Sequence, residues 1–153
     1  RKNAESFAEE AIDLLHNQAS SPAKAMAFSN MSQLTMLFDQ NVDCVAWGEK
    51  AINIAWELND EEVLCHALNN VGSVRMLPQA SRQQGVELLQ ESLAIALKNS
   101  FHEHAARAYS NLGSGAVKLR DYVFAKEMLD EGIQYSEERD LDSWRLNMLS
   151  LKA

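Results

Sequence analysis

The sequence predicts an all-α chain, a right-handed α-solenoid of stacked antiparallel helix pairs. Three observations predict it. One motif returns at near-constant spacing. Ala27-Phe28-Ser29-Asn30-Met31-Ser32 aligns with Ala67-Leu68-Asn69-Asn70-Val71-Gly72 and with Ala108-Tyr109-Ser110-Asn111-Leu112-Gly113, at intervals of 40 and 41 residues. A second series keeps the register: Ala51-Ile52-Asn53-Ile54-Ala55, Ser92-Leu93-Ala94-Ile95-Ala96 and Gly132-Ile133-Gln134-Tyr135-Ser136, at 41 and 40. Self-similarity at a fixed period of this size marks a repeat architecture. Within each repeat the apolar residues recur at helical spacing, as Val86, Leu89, Leu93 and Ala96 do. Finally, 6 Gly and 2 Pro in 153 residues are too few for a chain of many short strands and tight turns. Helix pairs that each bury only part of their apolar face must stack on one another.

Eight helices follow in order. The segment 4–17, with Phe7, Ala8, Ala11, Ile12 and Leu15, reads as the second half of a preceding repeat. Segment 22–38 opens on Ser21-Pro22, a capping hydroxyl before a proline at the first helical position. Segments 42–58 and 62–77 carry the first copy of the second series and the second copy of the first. Segment 82–98 begins at Ser81-Arg82-Gln83-Gln84, which has the form of a capping box. Segment 102–118 holds the third copy of the Asn motif, and 122–138 follows Asp121 with Tyr122, Ala125, Leu129, Gly132, Ile133 and Ser136 on one stripe. Segment 142–152, with Trp144, Leu146, Met148 and Leu149, reads as the first half of a following repeat. Three full repeats, 22–58, 62–98 and 102–138, thus sit between half-repeats 4–17 and 142–152 as one domain. The chain opens on Arg1-Lys2-Asn3 and stops inside an apolar helical pattern, so it is expected to be part of something longer.

Composition excludes more than it assigns. With 46% hydrophobic and 24% charged residues the chain is expected to fold. No apolar run reaches the length of a membrane span, and no signal peptide is recognisable at its start. A formal charge of −8 argues against direct nucleic-acid binding, which needs a net cationic face. Cys44 and Cys65 lie among apolar helix formers without a CxxC partner, so two reduced, half-buried thiols of a cytoplasmic protein are expected.

The run Asn111-Leu112-Gly113-x-x-Ala116, then Asp121-Tyr122-x-x-Ala125-x-x-x-Leu129-x-x-Gly132, resembles a tetratricopeptide repeat. The second repeat keeps Gly72 and Leu89, with Gly85 and Ser92 where that family has Ala; the first departs furthest, with Ser32, Cys44 and Gly48. The period of about 40 exceeds the family's 34 residues, and the closing Pro is missing. Across most of its length the chain also resembles the helical-repeat region of large ATP-binding LuxR-type transcriptional regulators. The residues are Ala108–Gly113, Leu119-Arg120-Asp121-Tyr122, Glu131–Tyr135 and Glu138–Arg145. That resemblance implies a sensor arm without the ATPase or the DNA-reading domain.

The tetratricopeptide likeness implies a concave groove lined by the first helix of each pair, with Asn30, Asn70 and Asn111 hydrogen-bonding the main chain of an extended ligand. A side-chain amide suits this, having donors and an acceptor. An alternative is that these amides satisfy neighbouring helices. The first helices carry Lys24, Arg75, Arg107, Lys118 and Arg120 against Glu103, whereas the second helices are acidic. The groove is therefore expected to favour an acidic peptide segment, a partner helix or a small inducer. Gln33, Ser73 and Ser114 would stand beside the Asn positions, and His66, Arg107 and Lys118 would select charge.

No catalytic or metal constellation emerges, and no cofactor is expected. His102-Glu103-His104 lacks the i, i+4 spacing of a helical zinc site and reads as a solvated cap. Gly113-Ser114-Gly115 lies inside a helix with no preceding strand, and reads as close packing. The pairs Glu9/Glu10, Glu61/Glu62 and Glu137/Glu138 diverge around their helices. Trp47, Trp56, Met31, Met36 and the Phe residues read as inter-repeat core. The expectation is a non-catalytic binding module. The rival is a spacer that self-associates through open ends, where Phe7, Ile12, Trp144, Met148 and Leu149 would be exposed.

Overall fold

A computed structural model describes residues 2–152. Among the described residues it holds eight helices: α1 Lys2–Leu15, α2 Pro22–Leu37, α3 Asn41–Leu58, α4 Glu61–Arg75, α5 Arg82–Lys98, α6 His102–Lys118, α7 Tyr122–Glu137 and α8 Asp142–Lys152. Every end falls within two residues of its expected position. No strand occurs among the described residues, and none of their helices is long and apolar enough to cross a membrane.

Consecutive helices pack on one another, most extensively α2 on α3, α4 on α5 and α6 on α7. The first helices also touch across repeats, α2 on α4, α4 on α6 and α6 on α8, whereas α1, α3, α5 and α7 meet only their chain neighbours. The helices that touch lie on the shorter arc of a curved stack. They form the inner layer, and the others form the outer one.

The joints repeat as faithfully as the helices. Asp39, Asn59, Ser100, Arg120 and Asp140 each adopt a left-handed conformation, φ 54 to 59°. Beside each, an amide reaches five residues back: Gln40 to the Thr35 carbonyl (2.9 Å), Asp60 to Ala55 (2.9 Å), Phe101 to Ala96 (2.9 Å), Asp121 to Ala116 (3.0 Å) and Leu141 to Ser136 (2.9 Å). This bond is the signature of a Schellman helix end. Two connections differ: α1–α2, which holds no left-handed residue, and α4–α5, which runs through Leu77-Pro78.

The caps agree in part with expectation. Ser21 accepts the Lys24 amide (3.2 Å) and Asp121 accepts the Phe124 amide (3.2 Å). Asp60 likewise caps Val63 (3.1 Å). Ser81 forms no capping box. Its backbone (φ −119°, ψ 3°) is not extended, and its hydroxyl donates to the Arg75 carbonyl at the end of α4 (2.8 Å).

Small residues set the helix spacing. Gly72 sits against Leu89, and Gly113 sits against Leu129 at the equivalent place. Around these contacts Met76, Leu89, Leu112, Leu129 and Met148 are almost fully buried, each contributing roughly 1.5–3 kcal/mol. Cys44 and Cys65 are free and completely buried rather than half-buried, because they face the core between the layers. Burial pushes both thiols up from their ordinary pKa. The aromatic expectation needs correction at Trp56, which is 57% exposed on the outer face of α3; Trp47 does pack on Phe28, centroids 5.5 Å apart. At the ends, Phe7 and Leu149 are exposed as the open-end reading expects, so the core reading of the Phe residues needs correction at Phe7. The open-end reading in turn needs correction at three positions: Ile12 is buried in a cluster with Phe28 and Met31, Met148 is buried against Gly132, and Trp144 is half-buried, packed against the core and bonded to Glu103.

Candidate functional site: the polar inner face

The inner layer carries a chain of buried and part-buried polar side chains. The Ser29 hydroxyl (α2) donates to His66 Nδ1 (α4) at 2.7 Å, and His66 Nε2 lies 3.2 Å from Gln33 Oε1. The Gln33 oxygen can only accept, so Nε2 carries the proton and Nδ1 is the acceptor. Asn70 Nδ2 donates to the Ser29 carbonyl (3.0 Å), while Asn70 Oδ1 accepts from the Arg107 guanidinium of α6 (2.5 Å). Asn111 Nδ2 donates to Asn69 Oδ1 (2.6 Å), and Ser73 donates to the Asn69 carbonyl (2.7 Å). At the far end Ser110 donates to Asn147 of α8 (2.8 Å). Asn69 Nδ2 is buried without a hydrogen-bond partner.

The electrostatics are unusual for such a buried place. Arg107 is only 8% exposed, and among the described residues no carboxylate forms an ion pair with it. Burial lowers its pKa to about 10, which leaves it a cation at neutral pH. Burial, then the Arg107 charge, then His104 hold His66 down to about 3, so that ring is neutral. The rings of His66 and His104 meet edge to face at 5.6 Å. His104 is thus half-buried rather than a solvated cap, and burial lowers its pKa too, opposed by Glu62, whose carboxylate lies 3.7 Å from Nε2.

Two adjoining cavities open along this layer. One, about 300 Å³, is lined by Gln33, Arg107, Asn111 and Ser114, with Trp144 and Asn147 of α8 opposite. The other, about 260 Å³, is lined by Ser73, Asn111, Ser114 and Lys118, with Asp39 at its edge. Met36, Leu37, Asn111 and Ser114 border both, so the two form one groove from α2 to α8. This joins six of the expected positions: Gln33, Ser73, Arg107, Asn111, Ser114 and Lys118.

Three expected positions stand differently. Asn70 is completely buried and spends both ends of its amide on Ser29 and Arg107, so it supports the groove from beneath. His66 is 7% exposed with both ring nitrogens engaged; being neutral, it supplies no charge. Asn30 is exposed and borders neither cavity. The three Asn do not form a ladder: Asn30 is exposed, Asn70 is buried on Ser29 and Arg107, and only Asn111 borders the groove. Sequence reasoning missed Ser29, Asn69, Ser110 and Asn147. The first three sit inside the repeated motif itself, in the Ser29/Asn69/Ser110 column next to the Asn column. That column of uncharged polar residues was the available signal.

No protein-family model matches the chain, and no curated protein matches it. Fold and site together define an all-α helical repeat with a polar, partly cationic inner groove.

Proposed function

We propose that the chain is a non-catalytic binding module of the right-handed, tetratricopeptide-like kind, whose inner groove takes an acidic peptide segment. The observation that supports this is Arg107: a guanidinium buried on the inner face, bordering a cavity, with no carboxylate of the described residues to pair with. A buried charge is costly unless it is paired. A carboxylate arriving from a ligand would supply that pair. Asn111, Ser114 and Gln33 offer donors and acceptors for its main chain, and Lys118 adds a second cation along the groove. In this reading the module is the sensor or scaffold arm of a cytoplasmic transcriptional regulator, with ligand occupancy setting the curvature of the stack.

The test is a calorimetric titration with pools of acidic and basic extended peptides. The acidic pool is expected to bind, and Arg107→Gln is expected to weaken it by about tenfold or more, the effect of removing a charged hydrogen-bond partner. Equal binding of both pools, or a preference for the basic pool, rejects the reading.

A second reading, self-association through the ends, is favoured by Phe7 and Leu14 on α1 and Leu146 and Leu149 on α8, all well exposed. Light scattering across concentration separates a stacking spacer, whose mass rises with concentration, from a monomeric receptor.

A further inference from the structure

A second cleft lies away from the inner groove, between α1, the C-terminal half of α2 and the start of α3. Its volume is about 360 Å³. The floor is apolar, built from Ile12, Met31, Leu34 and the Trp47 ring, and the rim carries the carboxylates of Glu5, Glu9, Asp13 and Asp43. Glu5, Glu9 and Asp13 are spaced four residues apart, so they run as one stripe down α1, about 12 Å from first to last. Asp43 stands on the opposite wall. Among the described residues none of the four has a cationic partner.

The next repeat shows what such a position ordinarily holds. A shift of 40 residues places Glu9 on Glu49 and, in the first helices, Thr35 on Arg75. Arg75 reaches Glu49 and forms an ion pair with it. At the first interface Thr35 is too short to do so, and its hydroxyl is bonded back to the Met31 carbonyl (2.8 Å). Among the described residues no cation stands at Glu9 as Arg75 does at Glu49, and the cleft lies in that place.

We infer that this cleft is a docking site for a basic amphipathic helix of a partner protein. Lys or Arg residues at i, i+4 and i+8 of that helix would match the Glu5, Glu9 and Asp13 stripe. An apolar side chain between them would enter the space over Ile12, Met31 and Trp47. A stripe of three carboxylates over two helical turns favours a helix over a small cation, which would engage one wall only. Trp47 already takes one cation from within the chain: Lys50 Nζ lies 4.0 Å from its ring. The inner groove with Arg107 is a different surface with the opposite charge preference, so the two sites are independent.

The probe is a fluorescein-labelled 16-residue helical peptide with Lys at i, i+4 and i+8 and Leu on the intervening face, read by anisotropy. The Lys peptide is expected to bind, and its Glu counterpart is not. Glu9→Lys with Asp13→Lys should weaken the Lys peptide by about tenfold or more. The same change of net charge on the outer face of α5, Glu87→Lys with Glu91→Lys, should leave it within about twofold. All these charge changes are at exposed positions, so folding is kept. Absence of binding overturns the inference, as does binding that survives the α1 double change or falls equally with the α5 one. A concentration-dependent dimer abolished by Glu9→Lys with Asp13→Lys assigns the cleft to a second copy and overturns it too.

Discussion

Asn70 of α4 holds Arg107 of α6 through one hydrogen bond of 2.5 Å, and holds α2 with the other end of the same amide, at the Ser29 carbonyl. One buried side chain thereby fixes three inner helices around a guanidinium. Replacing Asn70 by Leu leaves a buried charge and a buried carbonyl short of partners. The expected loss is about 2–4 kcal/mol in denaturant unfolding. Asn70→Asp places a carboxylate against Arg107 instead; it is expected to retain more stability than Asn70→Leu and to abolish the acidic-peptide preference. Equal stability of the two variants would show that Arg107 does not depend on this residue.

The neutral His66 makes stability depend on pH with a definite sign. Its ordinary pKa of about 6.5 applies in the unfolded chain, while in the folded chain it is held at about 3. Between those values the unfolded chain binds a proton that the folded chain refuses. Stability is therefore full near neutral pH and falls as pH drops from about 6.5 toward 3, by about 1.4 kcal/mol per pH unit for one such group. His104, depressed in the same direction by burial and Arg107 and opposed by Glu62, steepens the start of this window. Urea midpoints for the wild type and His66→Gln between pH 7 and 4 check it: the variant should have the shallower slope, and an unchanged slope would discharge His66 from the role.

The left-handed joints offer a gain. Ser100 and Arg120 are exposed and hold φ of 57° and 59° without being Gly or Asn. That conformation costs a side-chain-bearing residue about 1–2 kcal/mol, and glycine escapes it. Ser100→Gly and Arg120→Gly are each expected to stabilise by about 0.5–1 kcal/mol, whereas Asn59→Gly should change less because Asn tolerates this region. Thermal melts of the three variants measure the order.

The buried glycines behave in the opposite way. A Cβ at Gly85 would run into the backbone of Arg75 and Met76, which cannot step aside; at Gly113 it would meet only the flexible Leu129 side chain. Gly85→Ala should destabilise by about 2–3 kcal/mol or more and Gly113→Ala by less. The reverse order would mean that the α4–α5 junction is looser than described.

Much of this architecture is legible in the chain. The repeat period and the apolar stripes place all eight helices, because local spacing dictates which face is buried. The joints were not legible as such: Ser100 and Arg120 are not residues that advertise a left-handed turn, Asp39 and Asp140 do so less than Gly or Asn, and the Schellman bonds that hold them are made by backbone alone. Ser81 misled because its hydroxyl found the end of α4 before it could cap α5. In the groove, Gln33, Ser73, Asn111 and Ser114 fall where the first-helix pattern puts them. Asn70 and His66 do not, since which polar side chain faces a cavity and which props up its neighbour depends on the bonds it finds on adjoining helices, which no single-helix pattern encodes. The α1 cleft was invisible for a related reason: it is defined by what Thr35 fails to reach.

The central claim is that the inner face, around Arg107, is where an acidic ligand lies. An NMR titration of the isotopically labelled chain with an acidic heptapeptide measures it residue by residue. Saturable shifts are expected of the Arg107 side-chain Nε–H and of the Gln33, Asn111 and Ser114 resonances, lost in Arg107→Gln, with α3, α5 and α7 unmoved. Shifts confined to those outer helices, or none at saturating peptide, would contradict it.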